Sequence, residues 1–208
     1  MKKILGIIFG TALLFSTSAY SDVTVGLKVG NGDLEGTNAK YTAGTNDYAS
    51  TTASKDSMYG AIFAEIGLGD SPVSVGVEYV PLDADVSLDN ANSSTSANVG
   101  DYTTAYLLYM HDVGETNVYG KLGYSVADIG AIKSKSTVVS QSDSLEGIMV
   151  GAGLELGEVA NGFLGRFEVT YTDFDDVTAT TTSNGSTAVK KSADGELLTV
   201  TFGIAKSF

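Results

Sequence analysis

The chain contains no cysteine and no tryptophan, only two prolines, and a single histidine among its 208 residues. Without cysteine there is no disulfide framework and no thiolate chemistry, and an exported protein avoids stray oxidation. The lone histidine, His111, leaves a serine nucleophile one possible base, and no spacing of His or Cys suits a metal. Basic residues are also few: 12 Lys and Arg against 25 Asp and Glu, for a net charge of −13. That balance speaks against nucleic acid and against a polybasic membrane-surface binder. Beyond residue 21 no stretch approaches the length of an apolar helix, so any membrane crossing must use strands.

What is present begins with an export signature. Lys2 and Lys3 precede a short apolar run from Ile4 to Phe15, and Ala19-Tyr20-Ser21 places small residues at a cleavage site before Asp22. Residues 1–21 therefore read as a secretory signal peptide, the run being short for a transmembrane helix. Residues 22–208 are expected to form one domain. Loss of the two lysines takes the net charge from −13 to −15.

Period-2 alternation then recurs along the chain. It runs over 22–30 (Val23, Val25, Leu27, Val29), 57–68 (Met58, Ile62, Ala64, Ile66, Leu68), 73–82 (Val73, Val75, Val77, Tyr79) and 102–111 (Tyr102, Tyr106, Leu108, Met110). It continues over 117–127 (Val118, Leu122, Tyr124, Val126), 145–156 (Ile148, Val150, Ala152, Leu154, Leu156) and 163–172 (Phe163, Phe167, Val169, Tyr171). The last run puts Leu198, Val200, Phe202, Ile204 and Phe208 on one parity and Thr199, Thr201, Gly203, Ala205 and Ser207 on the other. An apolar strand left as a bare edge invites aggregation, whereas a closed barrel pairs its last strand with its first. The expected fold is all-β: an eight-stranded antiparallel up-and-down transmembrane β-barrel. Connectors 69–72, 112–116 and 157–162 are tight. Those at 31–56, 83–101, 128–144 and 173–196 are long and rich in Thr, Ser, Asn, Asp and Ala. That alternation matches short periplasmic turns and long extracellular loops.

The second parity decides which face is outside. It carries Lys28, Glu65, Glu78, Lys121, Glu155, Arg166 and Glu168, interleaved with Gly26, Ala61, Gly67, Gly76, Ala105, Gly123, Gly151, Gly153 and Gly203. A narrow eight-stranded lumen accommodates such a set, whereas a midplane Arg or Lys facing lipid costs about 2–4 kcal/mol. The charges are therefore expected to form a lumen network, with pairs such as Glu65 with Lys121 or Glu155 with Arg166. Tyr79, Tyr102, Tyr106, Tyr124, Phe167 and Tyr171 are expected outside, in interfacial aromatic girdles.

The run Val118-Tyr119-Gly120-Lys121-Leu122-Gly123-Tyr124-Ser125 resembles the fifth strand of the small outer-membrane barrel family, the OmpA/OmpX/opacity-protein type. Arg166-Phe167-Glu168-Val169-Thr170-Tyr171-Thr172-Asp173 resembles its seventh strand, written Arg-x-Glu-x-x-Tyr. Val200, Phe202, Ile204 and terminal Phe208 resemble the signal read by the barrel-assembly machinery, with Lys206 a departure from the usual apolar or aromatic residue. The resemblance implies the bacterial outer membrane, with its lipid and lipopolysaccharide as surroundings. No residues follow Phe208, so a periplasmic peptidoglycan-binding role is not expected.

Candidate chemistry is sparse. His111 falls beside Asp112, on the periplasmic side, whereas an enzyme acting on lipid A would need its base near the outer leaflet. Asp83, Asp85 and Asp89, and then Asp173, Asp175 and Asp176, lack the spacing of a calcium loop and read as solvated charge. Gly151-Ala152-Gly153 sits inside a strand and is no phosphate cradle. Asn-x-Ser sites at Asn92 and Asn184 read as incidental, and Tyr41 and Tyr48 as local packing or a partner anchor. The expectation is a monomer with no cofactor and no enzymatic activity. It would maintain the membrane and present loops 31–56, 83–101, 128–144 and 173–196 for adhesion-type contact; the alternative is a narrow porin for small solutes.

Overall fold

The computed structural model describes residues 22–38, 41–43, 46–81, 84–90, 93–129, 133–134, 139–140, 144–181 and 189–208. The signal-peptide reading of 1–21, Asp83, and the Asn92 and Asn184 sites lie outside the described residues.

Eight long strands carry the alternation: β1 (Val23–Asn38), β2 (Thr51–Gly67), β3 (Val73–Val80), β4 (Ser93–Val113), β5 (Thr116–Ile129), β6 (Ser144–Ala160), β7 (Phe163–Thr181) and β8 (Val189–Ser207). Each pairs antiparallel with its neighbour in sequence, and β8 returns to β1, so the sheet closes. The closing register is unbroken from Thr24↔Ser207 to Asn38↔Ala193. It is sealed at the end of the chain, where the Phe208 amide donates to the Val23 carbonyl at 2.9 Å. The last strand thus has no free edge, the arrangement that lets a sheet cross a bilayer with its backbone satisfied.

Tight turns join β2 to β3, β4 to β5 and β6 to β7. Each needs left-handed backbone: Gly69 (φ 62°), Gly114 (φ 74°), and the pair Asn161 (φ 51°) and Gly162 (φ 77°). Glycine adopts this region without a Cβ penalty, and asparagine is among the few other residues that tolerate it.

The wall is apolar outward. Val25, Leu27 and Val29 on β1, Leu122 on β5, Ile148 and Val150 on β6, and Val200, Phe202 and Ile204 on β8 are all exposed. Farther from the turns the outward parity becomes acidic: Asp33 and Glu35 on β1, Asp56 on β2, Glu146 on β6, Asp173 on β7 and Glu196 on β8. Across the strands Asp33 faces Asp56, and Glu35, Glu196 and Asp173 stand in one row. This boundary marks where the lipid-facing band stops.

Two sequence expectations are corrected here. The first concerns β4. Tyr102, Tyr106 and Leu108 point into the lumen and are buried, while Ala105, Leu107 and Tyr109 face out. Both parities of β4 are rich in apolar residues, so alternation cannot choose between them. The girdle therefore loses Tyr102 and Tyr106 and gains Tyr109, and Ala105 leaves the lumen list. The second concerns the connectors. The barrel strands run on past the apolar band, so β1 reaches Asn38, β7 reaches Thr181 and β8 starts at Val189. Further pairing covers Tyr41–Ala43 with Asn46–Tyr48, Ala84–Asn90 with β4, Lys133–Ser134 with β4, and Val139–Ser140 with β7. Thr- and Ser-rich sequence without apolar alternation reads as loop, yet threonine is at home in a ladder. Tyr41 and Tyr48 stand directly opposite each other in their hairpin.

Candidate functional site: the filled lumen

Strand parity brings all seven lumen charges inside the wall, each at most 7 % exposed. They divide into two groups along the barrel axis.

The central group is a closed ring of alternating charge. Lys28 on β1 contacts Glu78 on β3 at 2.6 Å and also pairs with Glu168 on β7. Lys121 on β5 closes the ring, 3.3 Å from Glu78 and 3.0 Å from Glu168. Each ammonium is shared by two carboxylates and each carboxylate by two ammoniums. The second group lies nearer the turns. Arg166 on β7 donates from Nε to Glu155 at 2.7 Å and from Nη1 to Glu65 at 2.8 Å. Glu155 lies across the strand pair from Arg166 in direct register, whereas Glu65 reaches it across the lumen from β2. Glu65 therefore pairs with Arg166 and not with Lys121, a correction to the expected partner. Strand order alone does not reveal it, because the contact spans the barrel bore.

Tyrosines complete the coordination. The Tyr59 hydroxyl donates to Glu78 at 2.5 Å, Tyr106 to Glu65 at 2.8 Å and Tyr119 to Glu168 at 3.1 Å. Asn117 donates to Glu155 at 3.3 Å. Each lumen glutamate thus has a neutral donor beside its cations. Lys121 Nζ also lies 3.8 Å from the centroid of the Tyr106 ring, a cation–π contact. Charge-assisted hydrogen bonds of this kind are the strong class, and full satisfaction is what makes a buried charge network tolerable.

The rings fit because a glycine faces each of them on the adjoining strand. The directly opposed pairs are Gly26 with Phe63, Gly30 with Tyr59, Gly76 with Tyr106 and Gly153 with Tyr119. A Cβ at Gly76 would enter the Tyr106 ring, and one at Gly153 the Tyr119 ring. This pairing was legible in part: the small inward residues were visible in the sequence, but the tyrosines above them needed the register.

Beyond the charge ring, toward the acidic boundary, comes a layer of hydroxyls. Tyr102 bonds Ser125 and Thr172, each at 3.0 Å; Thr104 bonds Ser125 at 2.8 Å and Thr170 bonds Thr199 at 2.6 Å. Above it the lumen is apolar: Val80, Ala127, Leu145 and Phe174 are buried, with Leu34, Val177 and Leu197 packed on them. Phe174 meets Tyr102 edge to face at 6.2 Å. This second plug was missed in the sequence. Leu34, Phe174 and Val177 fall in stretches that alternation alone assigns to loops, Val80, Ala127 and Leu145 sit at the ends of expected strands, and a bulge between Phe174 and Val177 resets the phase of β7.

The space left over is small in the middle and large at one end. Among the charges a cavity of about 10 Å³ is lined by Lys28, Glu65, Lys121, Arg166 and Glu168. That is the scale of a single water molecule. On the turn side a vestibule of about 650 Å³ opens between Asp70, Asp112 and Asn117 and is floored by Glu65, Glu155 and Arg166. His111 is exposed at the rim of this vestibule. Val200, Phe202, Ile204 and Phe208 all face outward on β8, or just beyond it. Asp173, Asp175 and Asp176 are exposed, and no group of three metal-competent side chains forms among the described residues.

No protein-family model and no curated sequence matches the chain. Solved structures do. The chain is similar to the outer membrane protein OprG from Pseudomonas aeruginosa, with 13% identity, TM-score 0.63, and coverage of 90% of this chain and 97% of that one. It is also similar to the outer membrane protease OmpT from Escherichia coli, with 10% identity, TM-score 0.53, and coverage of 93% and 99%. Neisserial surface protein A matches at 13% identity, TM-score 0.50, and coverage of 90% and 99%. At these identities the likeness speaks for the fold, that of bacterial outer-membrane β-barrels. It agrees with the inverted surfaces, apolar outside and charged within.

Proposed function

We propose that this outer-membrane barrel works as a closed scaffold, monomeric, with its function at the extracellular end. The single observation that carries the reading is the filled lumen, where two plugs of different chemistry leave about 10 Å³ among the charges. A wall so filled supports no steady solute path. Its role is to anchor β-hairpins above the outer leaflet for membrane maintenance and adhesion-type contact. The strand pairing that continues into 31–38, 51–56 and 173–181 supports this, because it gives those segments a rigid base. β8, with Val200, Phe202 and Ile204 on its lipid face and Phe208 after it, is the segment offered to the assembly machinery.

The test is planar-bilayer recording on pure folded protein. The scaffold reading expects no stable conductance. Stable single channels would overturn it and favour a narrow porin, a reading that draws on the vestibule of about 650 Å³ reaching as far as Arg166. Trimming the hairpins beyond the acidic boundary should abolish binding to host matrix or cell surface while the barrel still folds. Retained binding would count against the surface role.

A further inference from the structure

Lys206 is out of place on a lipid-facing wall. It follows Leu198, Val200, Phe202 and Ile204 on the outward parity of β8, and it sits opposite outward-facing Val25 of β1. Its Nζ lies 5.2 Å from the centroid of the Phe163 ring and 5.7 Å from that of Phe208. The two rings clamp it at the turn end of the barrel, which an outer-membrane topology places at the periplasmic leaflet. The nearest acid in sequence to the β6–β7 turn, Glu158, accepts the Gly162 amide at 2.7 Å. Among the described residues, the six ion-pair contacts in the lumen do not include Lys206.

A lysine at this depth carries three donors, and its aromatic contacts satisfy none of them. Long basic side chains at a bilayer edge extend along apolar surface and place the charge at the headgroups. The anion available there is the phosphate diester of a glycerophospholipid, and flanking aromatic rings suit that interface. We propose that Lys206, held between Phe163 and Phe208, is a docking site for the phosphate of a periplasmic-leaflet glycerophospholipid. The lysine that weakens the apolar pattern of the last strand then serves a second purpose, fixing the depth of the barrel seam where β8 meets β1.

The experiment uses the full chain folded into nanodiscs containing equal amounts of phosphatidylglycerol and an uncharged, phosphate-free galactosyl diacylglycerol. Native mass spectrometry reads the lipid retained after release. The wild type should keep phosphatidylglycerol over the galactolipid. Lys206→Gln should cut that retention about fivefold, the contribution of one basic residue at an anionic surface, and Lys206→Arg should preserve it. Excess inorganic phosphate should leave retention unchanged, since the lipid's acyl chains also pack on the apolar outward wall of β8. Equal retention of both lipids by the wild type would overturn the proposal, and needs no variant to fold. Displacement by inorganic phosphate would overturn it in favour of a free-anion site. Undiminished retention by a folded Lys206→Gln barrel, checked by its heat-shifted gel band, would also overturn it.

Discussion

Replacing Lys121 by methionine removes one corner of the central charge ring and keeps most of the side-chain volume. The ammonium contacts Glu78 at 3.3 Å and Glu168 at 3.0 Å, with its side chain 2 % exposed. At an effective dielectric near 20, each contact is worth about 5 kcal/mol gross. Against the total of about 10 kcal/mol stands the desolvation of the ammonium, several kcal/mol, which the variant no longer bears. Glu78 and Glu168 would then share Lys28 alone, leaving one buried negative charge uncompensated. The expected net loss is about 3–5 kcal/mol, the usual cost of breaking a buried pair from one side. Adding Glu78→Gln restores neutrality, because Lys28 and Glu168 remain as one pair. The double variant should recover to within about 1–2 kcal/mol of wild type, giving a coupling energy a double-mutant cycle can read. The assay is urea unfolding of the lipid-embedded barrel, followed by far-ultraviolet circular dichroism. A single variant losing less than about 1 kcal/mol, or a double variant no better than the single, would refute the ring. In bilayers, Lys121→Glu should raise conductance only if the ring gates a continuous path; a silent variant agrees with the apolar layer above it.

Leu122, 56 % exposed midway along the outward face of β5, should cost about 2–4 kcal/mol as Leu122→Arg in the same unfolding assay; a neutral result would contradict a lipid-facing wall. Gly153→Val should drive Tyr119 off Glu168 and destabilise by about 1–3 kcal/mol through overpacking. Gly120→Ala, whose nearest neighbour would be 3.9 Å away, should leave the midpoint unchanged. Glu196→Gln relieves a direct row with Glu35 and Asp173, since like charges directly opposite are destabilising. It should raise the unfolding midpoint at low ionic strength, with the gain shrinking as salt screens the row.

The outer wall was readable from the sequence because lipid imposes one demand, apolar at every second residue, on each strand separately. Val25, Leu27 and Val29 or Ile148, Val150 and Leu154 state it without reference to any other strand. β4 is the exception that shows the limit. Tyr106 and Leu108 compete there with Leu107 and Tyr109, and only the neighbours decide: Gly76 makes room for Tyr106, and Glu65 receives its hydroxyl. The identities of the lumen charges were likewise visible, but their partners were not. Glu155 and Arg166 are adjacent across one strand pair, while Glu65 reaches Arg166 across the bore. That contact depends on how far the strands are staggered when the sheet closes, a property of the whole ring. The strand extensions were hidden for a different reason. Above the acidic boundary the outward face turns polar and the few apolar residues left, such as Leu34 and Phe174, point inward, so the outward apolar alternation that reveals a strand disappears while the ladder continues.

The two plugs also bear on what could open this barrel. The charge ring responds to substitution or ion binding, because each of its contacts is electrostatic. The layer of Leu145, Phe174 and Val80 does not, because it is held by packing. Exchange of ion-pair partners around Arg166 would extend the vestibule toward the centre but would still meet the hydroxyl and apolar layers. Conduction therefore requires two rearrangements of different physical origin in one molecule. Substitutions that open the charge ring alone should stay silent in bilayers. Lys121→Glu combined with Phe174→Ala is the variant expected to come nearest to conducting, since it removes an obstacle from the charge ring and one from the apolar layer.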